Sequence, residues 1–113
     1  MPFEDAKGHL EDILASISAI ERFVDGMTEE DFLWDEKTHA AVERKLLVIS
    51  EAAIRMKDEA EQICPEIPWR DVRGIGNWLR HQYDRVDVQT VWNTIQDDLP
   101  TLKASVQSAL ARL

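Results

Sequence analysis

Cysteine is almost missing from this chain: Cys64 stands alone among 113 residues. A lone thiol closes no internal disulfide and offers no metal-binding cysteine spacing. Glycine and proline are scarce, four of each, and neither gathers into a linker or a low-complexity tract. No apolar run approaches the roughly 20 residues that a membrane helix needs. The first residues, Met1-Pro2-Phe3-Glu4-Asp5, lack the basic region and apolar stretch of a secretory signal, so the expected compartment is the cytoplasm. Cations are in the minority, with 13 Lys and Arg against 22 Asp and Glu and a net charge of −9. That balance argues against a broad nucleic-acid surface, because phosphate binding is driven by clustered cations.

What is present is unevenly placed. Residues 70–85 hold Arg70, Arg73, Arg80 and Arg85, half of the eight arginines, against Asp71 and Asp84 alone. This stretch is locally +2 on a body of −11. A cationic spot on an acidic body suits a focused anion site. The length fits one domain, residues 1–113, around one core.

Hydrophobic spacing predicts an all-α, compact four- to five-helix bundle. Leu10, Ile13, Leu14, Ile17, Ile20 and Phe23 form a stripe over about 3–25, with Gly26 as its stop. Thr28 and Asp31 resemble a capping box for a short helix over 29–34. Ala41, Val42, Leu46, Ile49, Ala52, Ala53 and Met56 mark a long helix over about 36–63, closed by Pro65. A third helix is expected from Pro68 to about Asp84, with Gly74 and Gly76 inside it. Each costs about 1 kcal/mol against alanine there, which implies local irregularity or a backbone that something approaches closely. Asp87 reads as the N-cap of a last helix over about 88–112, interrupted by Pro100.

On the third helix, Val72, Ile75 and Leu79 are expected to meet the core. Arg73, Asn77, Arg80 and Asp84 fall on the opposite side, with Arg70 and His81 at its flank. Arginine presents a fork of donors matched to phosphate oxygens. Histidine titrates near neutrality and can take or give a proton. Asparagine can orient the imidazole or donate to a phosphate. With a ribose 2′-hydroxyl as nucleophile, such a set cleaves RNA without a metal or other cofactor. The plainer counterparts are a solvated charged face, and Trp69 and Trp78 as core or interface rather than base-stacking platforms. His9 and His39 receive no role, and adjacent Asp97 and Asp98 point different ways on a helix.

The stretches Ile67-Pro68-Trp69-Arg70 and Gly74-Ile75-Gly76-Asn77-Trp78-Leu79-Arg80-His81-Gln82-Tyr83 resemble the active segment of HepT-like proteins in the HEPN superfamily. Ala41-Val42-Glu43-Arg44-Lys45-Leu46-Leu47-Val48-Ile49-Ser50-Glu51-Ala52-Ala53 is similar to that family's second-helix signature. Val91-Trp92-Asn93-Thr94-Ile95 with Asp98-Leu99-Pro100 is similar to its last helix. The resemblance implies a dimerising helical bundle and a metal-independent endoribonuclease, the toxin of a type VII-like HEPN/MNT toxin–antitoxin pair. It implies a minimal nucleotidyltransferase antitoxin as partner, which silences the toxin by adenylylating Tyr83. His81 and Asn77 match the family's catalytic positions. The family's motif arginine falls at Gly76, which has no side chain. Arg80 or Arg73 is expected to take its place, and Arg80 is preferred because a four-residue step returns closest to the original direction. The alternative is a catalytically weak or inactive helical module that binds a nucleotidyltransferase or a nucleotide.

Overall fold

The computed structural model describes the backbone of residues 4–81 and 87–113, and the side chains of 5–80 and 87–113. Every regular element among them is helical: α1 (Glu4–Val24), α2 (Glu29–Trp34), α3 (Glu36–Met56), α4 (Glu59–Ile63), α5 (Trp69–His81), α6 (Val88–Asn93), a π-helical turn (Thr94–Asp98) and α7 (Leu99–Arg112).

The apolar stripe of α1 is its buried edge except at Phe23, which the structure leaves exposed near the end of the helix. Leu10, Ile13, Ile17 and Ile20 are each almost fully covered, at about 1.5–3 kcal/mol per side chain. They pack chiefly against α3 and α7. Gly26 ends this segment at a φ of 77°, a conformation that side chains with a Cβ resist. The Thr28–Asp31 capping box forms as expected: Thr28 Oγ1 accepts from the Asp31 amide and Asp31 Oδ2 accepts from the Thr28 amide, both at 3.1 Å. It aims Phe32 into the core, where its ring lies 5.3 Å from Trp92 and 6.0 Å from His39. His39, which showed no partner in the sequence, sits 3.6 Å from Glu43 one turn on.

The long second helix expected over 36–63 is two helices. Lys57 takes a φ of 52°, and α3 stops there before α4 begins at Glu59. Beyond α4, the Trp69 indole donates to the Cys64 carbonyl at 2.9 Å. Trp69 is almost fully buried, which fastens the start of α5 to the core. Arg112 donates to the Ile63 carbonyl at 2.8 Å and ties α7 to the same corner. Pro100 does interrupt the last helix. The chain widens into the π turn just before it, and Pro100 then sits in the first turn of α7. No amide is needed from it at that position.

Candidate functional site on helix α5

Helix α5 begins after Pro68, whose carbonyl accepts from the amides of Asp71 and Val72 at 3.0 and 3.1 Å. Asp71 lies in the first turn, where a carboxylate complements the helix dipole. The helix packs on α3, running antiparallel to it: Arg73 meets Ala53 and Lys57, whereas Gly76 meets Ser50 and Leu47.

Trp69, Val72, Gly76 and Leu79 are buried on that side, and Ile75 is partly buried. Gly76 is where the two helices touch. A Cβ built there would lie 2.9 Å from Ser50 Oγ and 3.1 Å from Leu47 Cδ1. The fully buried Ser50 uses that space. Its hydroxyl donates to the Arg73 carbonyl at 2.8 Å and accepts from the Gly76 amide at 3.0 Å. Close approach is therefore the reason for this glycine: a side chain at position 76 fits only if those of Ser50 and Leu47 give way.

Arg73 does not stand on the open face. Its Nε donates to the Ala53 carbonyl at 3.3 Å, and Nη2 donates to the Lys57 carbonyl at 2.7 Å. Both terminal nitrogens also engage the Glu61 carboxylate at 2.7 Å. The guanidinium closes the C-terminal end of α3, where orphan carbonyls need donors, and holds the irregular turn at Lys57. This hydrogen-bonded contact holds the Glu61 carboxyl below its ordinary range and the Arg73 guanidinium above its own. Only one of the five N–H donors is left over.

The solvent-facing side of α5 carries Arg70, Gly74, Asn77 and Arg80, all exposed. Asn77 and Arg80 are one turn apart and so are neighbours on the surface. No carboxylate among the described residues pairs with Arg80. At about 100° per residue, Arg70, Gly74, Asn77 and backbone position 81 fall in the middle of this face. Arg80 borders it on one flank and Trp78 on the other. The imidazole of His81, and Tyr83 entirely, lie outside the described residues. Arg70, expected at the flank, stands near the middle of this face: at about 100° per residue it lies almost opposite Val72, Ile75 and Leu79.

Beside this face runs an open groove of about 430 Å³. Arg70, Asp71, Gly74 and Trp78 line one wall, and Thr90, Val91 and Thr94 the other. Trp78 is only partly buried, unlike Trp69. An added Cβ at Gly74 would meet nothing within 4 Å, so the two glycines of α5 differ in kind.

Comparison with known proteins places these features in a family. A family model described as ribonuclease HepT-like matches residues 13–109. A protein of Thermococcus cleftensis named a probable ribonuclease HepT is 41% identical over 101 residues, covering 89% of this chain and 92% of its own. A protein of Methanocaldococcus jannaschii named as a candidate RNase is 34% identical over 113 residues, covering 100% of this chain and 97% of its own. A second such protein from that organism is 34% identical over 110 residues, with 97% and 91% covered. No solved structure matches.

Proposed function

Because the chain belongs to the HepT-like ribonuclease family, we propose that it is an RNA endonuclease built on the open face of α5, acting as the toxin of a toxin–antitoxin pair. The observation that carries this reading is the exposure of Asn77 and Arg80 on the face that leads to position 81, while Arg73 is held elsewhere. Arg80 binds the scissile phosphate and steadies charge that grows on its oxygens. The 2′-hydroxyl of the substrate attacks the adjacent phosphorus and the bond to the 5′-oxygen breaks, leaving a 2′,3′-cyclic phosphate and a 5′-hydroxyl. His81 takes the proton of the attacking hydroxyl or supplies the one the leaving oxygen needs. Asn77 holds the imidazole or a phosphate oxygen. This route asks nothing of a metal ion.

A homodimer would bring two such faces around one strand, so that one imidazole accepts a proton and the other donates one. A nucleotidyltransferase antitoxin would then act at Tyr83, where an added nucleotide monophosphate brings bulk and negative charge toward the cationic face. The test is cleavage of RNA by the purified protein and by His81→Ala, without a partner. Cleavage by the first and none by the second supports the reading, and equal cleavage by both refutes the role of His81.

One observation favours a second reading. Position 76, where the family's motif arginine is expected, is walled off by Ser50 and Leu47. If Arg80 does not serve as phosphate ligand, the same face is a docking surface for a nucleotidyltransferase or a nucleotide. No cleavage, with tight co-purification of a small nucleotidyltransferase, would favour that module.

A further inference from the structure

The groove beside Trp78 raises a question that phosphate chemistry does not answer. Glycine inside a helix is unfavourable by about 1 kcal/mol against alanine. Gly76 is explained by Ser50, but Gly74 has no counterpart among the described residues: a Cβ there would meet none of their atoms within 4 Å. Its bare backbone lies one turn before Trp78 and one turn after Arg70, and all three line the groove. The far wall is chemically specific. Thr90 Oγ1 donates to Asp87 Oδ2 at 2.8 Å, and Thr94 Oγ1 donates to the Thr90 carbonyl at 2.9 Å. Both hydroxyl protons are used, so each oxygen has only acceptor capacity left for a ligand.

We propose that this groove is a nucleobase subsite, taking one unpaired base of the RNA strand beside the phosphate held at Asn77 and Arg80. The inference rests on the ribonuclease reading above. The indole of Trp78 supplies a stacking surface, which any base can use. Gly74 lets the base or its ribose come down onto the helix. The threonine oxygens accept from ring or exocyclic N–H groups, and Arg70 meets the next phosphate along. The rival occupant is α5 of a second copy. Charge weighs against it: Arg70 and Arg80 outnumber the exposed Asp71 on this side of the helix, so a two-fold crossing at Gly74 would set two net-cationic surfaces together. A polyanion neutralises both.

The experiment measures affinity for a single-stranded 2′-O-methyl oligonucleotide, which lacks the attacking hydroxyl and is not cleaved. The proteins are wild type, Gly74→Val, Trp78→Ala and Trp78→Phe, with molecular mass by light scattering and folding by circular dichroism. Gly74→Val and Trp78→Ala should each weaken binding about tenfold or more, the scale of one stacked base. Trp78→Phe should retain most of the affinity. A single abasic residue, moved along the oligonucleotide, should weaken wild type at one position, and Trp78→Ala should lose no further affinity there. Should Trp78→Ala unfold, Gly74→Val and the abasic series carry the test alone. Unchanged affinity in the variants, with wild-type binding and cleavage intact, overturns the subsite and leaves the ribonuclease reading standing. Loss of assembly mass in Gly74→Val, with normal affinity per assembled unit, overturns it in favour of the second copy. Wild type that neither binds nor cleaves RNA overturns both.

Discussion

The two glycines of α5 should respond oppositely to alanine. In a helix interior the exchange gains about 1 kcal/mol from propensity alone. At Gly74 the new methyl meets nothing within 4 Å among the described residues, so the gain should be realised in full. For a chain of this size that raises Tm by about 4 °C. At Gly76 the same methyl lies 2.9 Å from Ser50 Oγ and 3.1 Å from Leu47 Cδ1. Overpacking of this kind costs about 1–3 kcal/mol. It also displaces a hydroxyl that bridges the Arg73 carbonyl and the Gly76 amide. The net for Gly76→Ala is a loss of about 0–2 kcal/mol, read by thermal and urea unfolding. Adding Ser50→Ala separates propensity from contact, because it removes the atom in the way. The double variant should be more stable than the sum of the singles by about 1 kcal/mol, since the residues touch. Gly76→Arg, which puts the family's motif side chain back, should destabilise more than alanine and should not raise cleavage. If Gly76→Ala raises Tm as Gly74→Ala does, the close approach of α5 to α3 is refuted, and with it the reason given for the missing arginine.

The remaining expectations concern single groups. Arg73→Ala should lower stability by about 1–2 kcal/mol, because two carbonyls at the end of α3 lose a charged donor. Arg80→Ala should leave Tm within a degree or two while abolishing cleavage; the reverse pattern in a paired unfolding and cleavage series would exchange the two roles. Glu61 has its carboxyl lowered, chiefly by the Arg73 hydrogen bond. A lowered carboxylate stabilises the fold above its unfolded pKa near 4.5 and loses that contribution as pH falls through the lowered folded value. Glu61→Gln should therefore flatten the acid limb of the Tm-against-pH curve, and an unchanged limb would deny the linkage. Cys64 is pushed up from 9.0 to about 11, first by burial and then by the neighbouring Glu66. The raised thiol favours the folded state fully below pH 9 and loses its contribution as pH climbs through about 11. The native thiol should resist alkylation at pH 8, and Cys64→Ala should lessen the alkaline fall in Tm; rapid alkylation of folded protein would contradict its burial.

Local pattern carried much of this fold. The stripes of α1 and α3, the Thr28–Asp31 box and the Asp87 cap each depend on residues within one or two turns of each other, and they formed where the sequence placed them, except that Phe23 at the end of the α1 stripe is exposed. The break at Lys57 was not legible. Neither glycine nor proline marks it, and the donors that satisfy the Lys57 and Ala53 carbonyls come from Arg73, 16 and 20 residues away. Pro100 announced an interruption, but nothing local specified that the chain would widen into a π turn to receive it.

The site shows the same division more sharply. A helical wheel of residues 69–81 gives relative directions but not which direction faces the core. Taking Val72, Ile75 and Leu79 as the buried centre set Arg73 opposite them. The true centre lies nearer Val72, Gly76 and Leu79, because a glycine, which hydrophobicity does not count as apolar surface, is the tightest contact with α3. That rotation turns Arg73 toward the α3–α4 corner and brings Gly74 to the middle of the open face, beside Arg70. The absence of an arginine at 76 and the commitment of Arg73 to Glu61 are therefore linked by geometry: one side of α5 is used to seat the helix. On the proposed ribonuclease reading, phosphate binding then falls to the cations left outside, Arg80 beside Asn77 and Arg70 two turns before Asn77. On this argument Arg70→Ala should weaken RNA binding and reduce its salt slope by about one while leaving the cleavage rate at saturating RNA nearly intact, whereas Arg80→Ala should lower that rate itself. Equal loss of rate in both would mean that the two guanidiniums share the scissile phosphate.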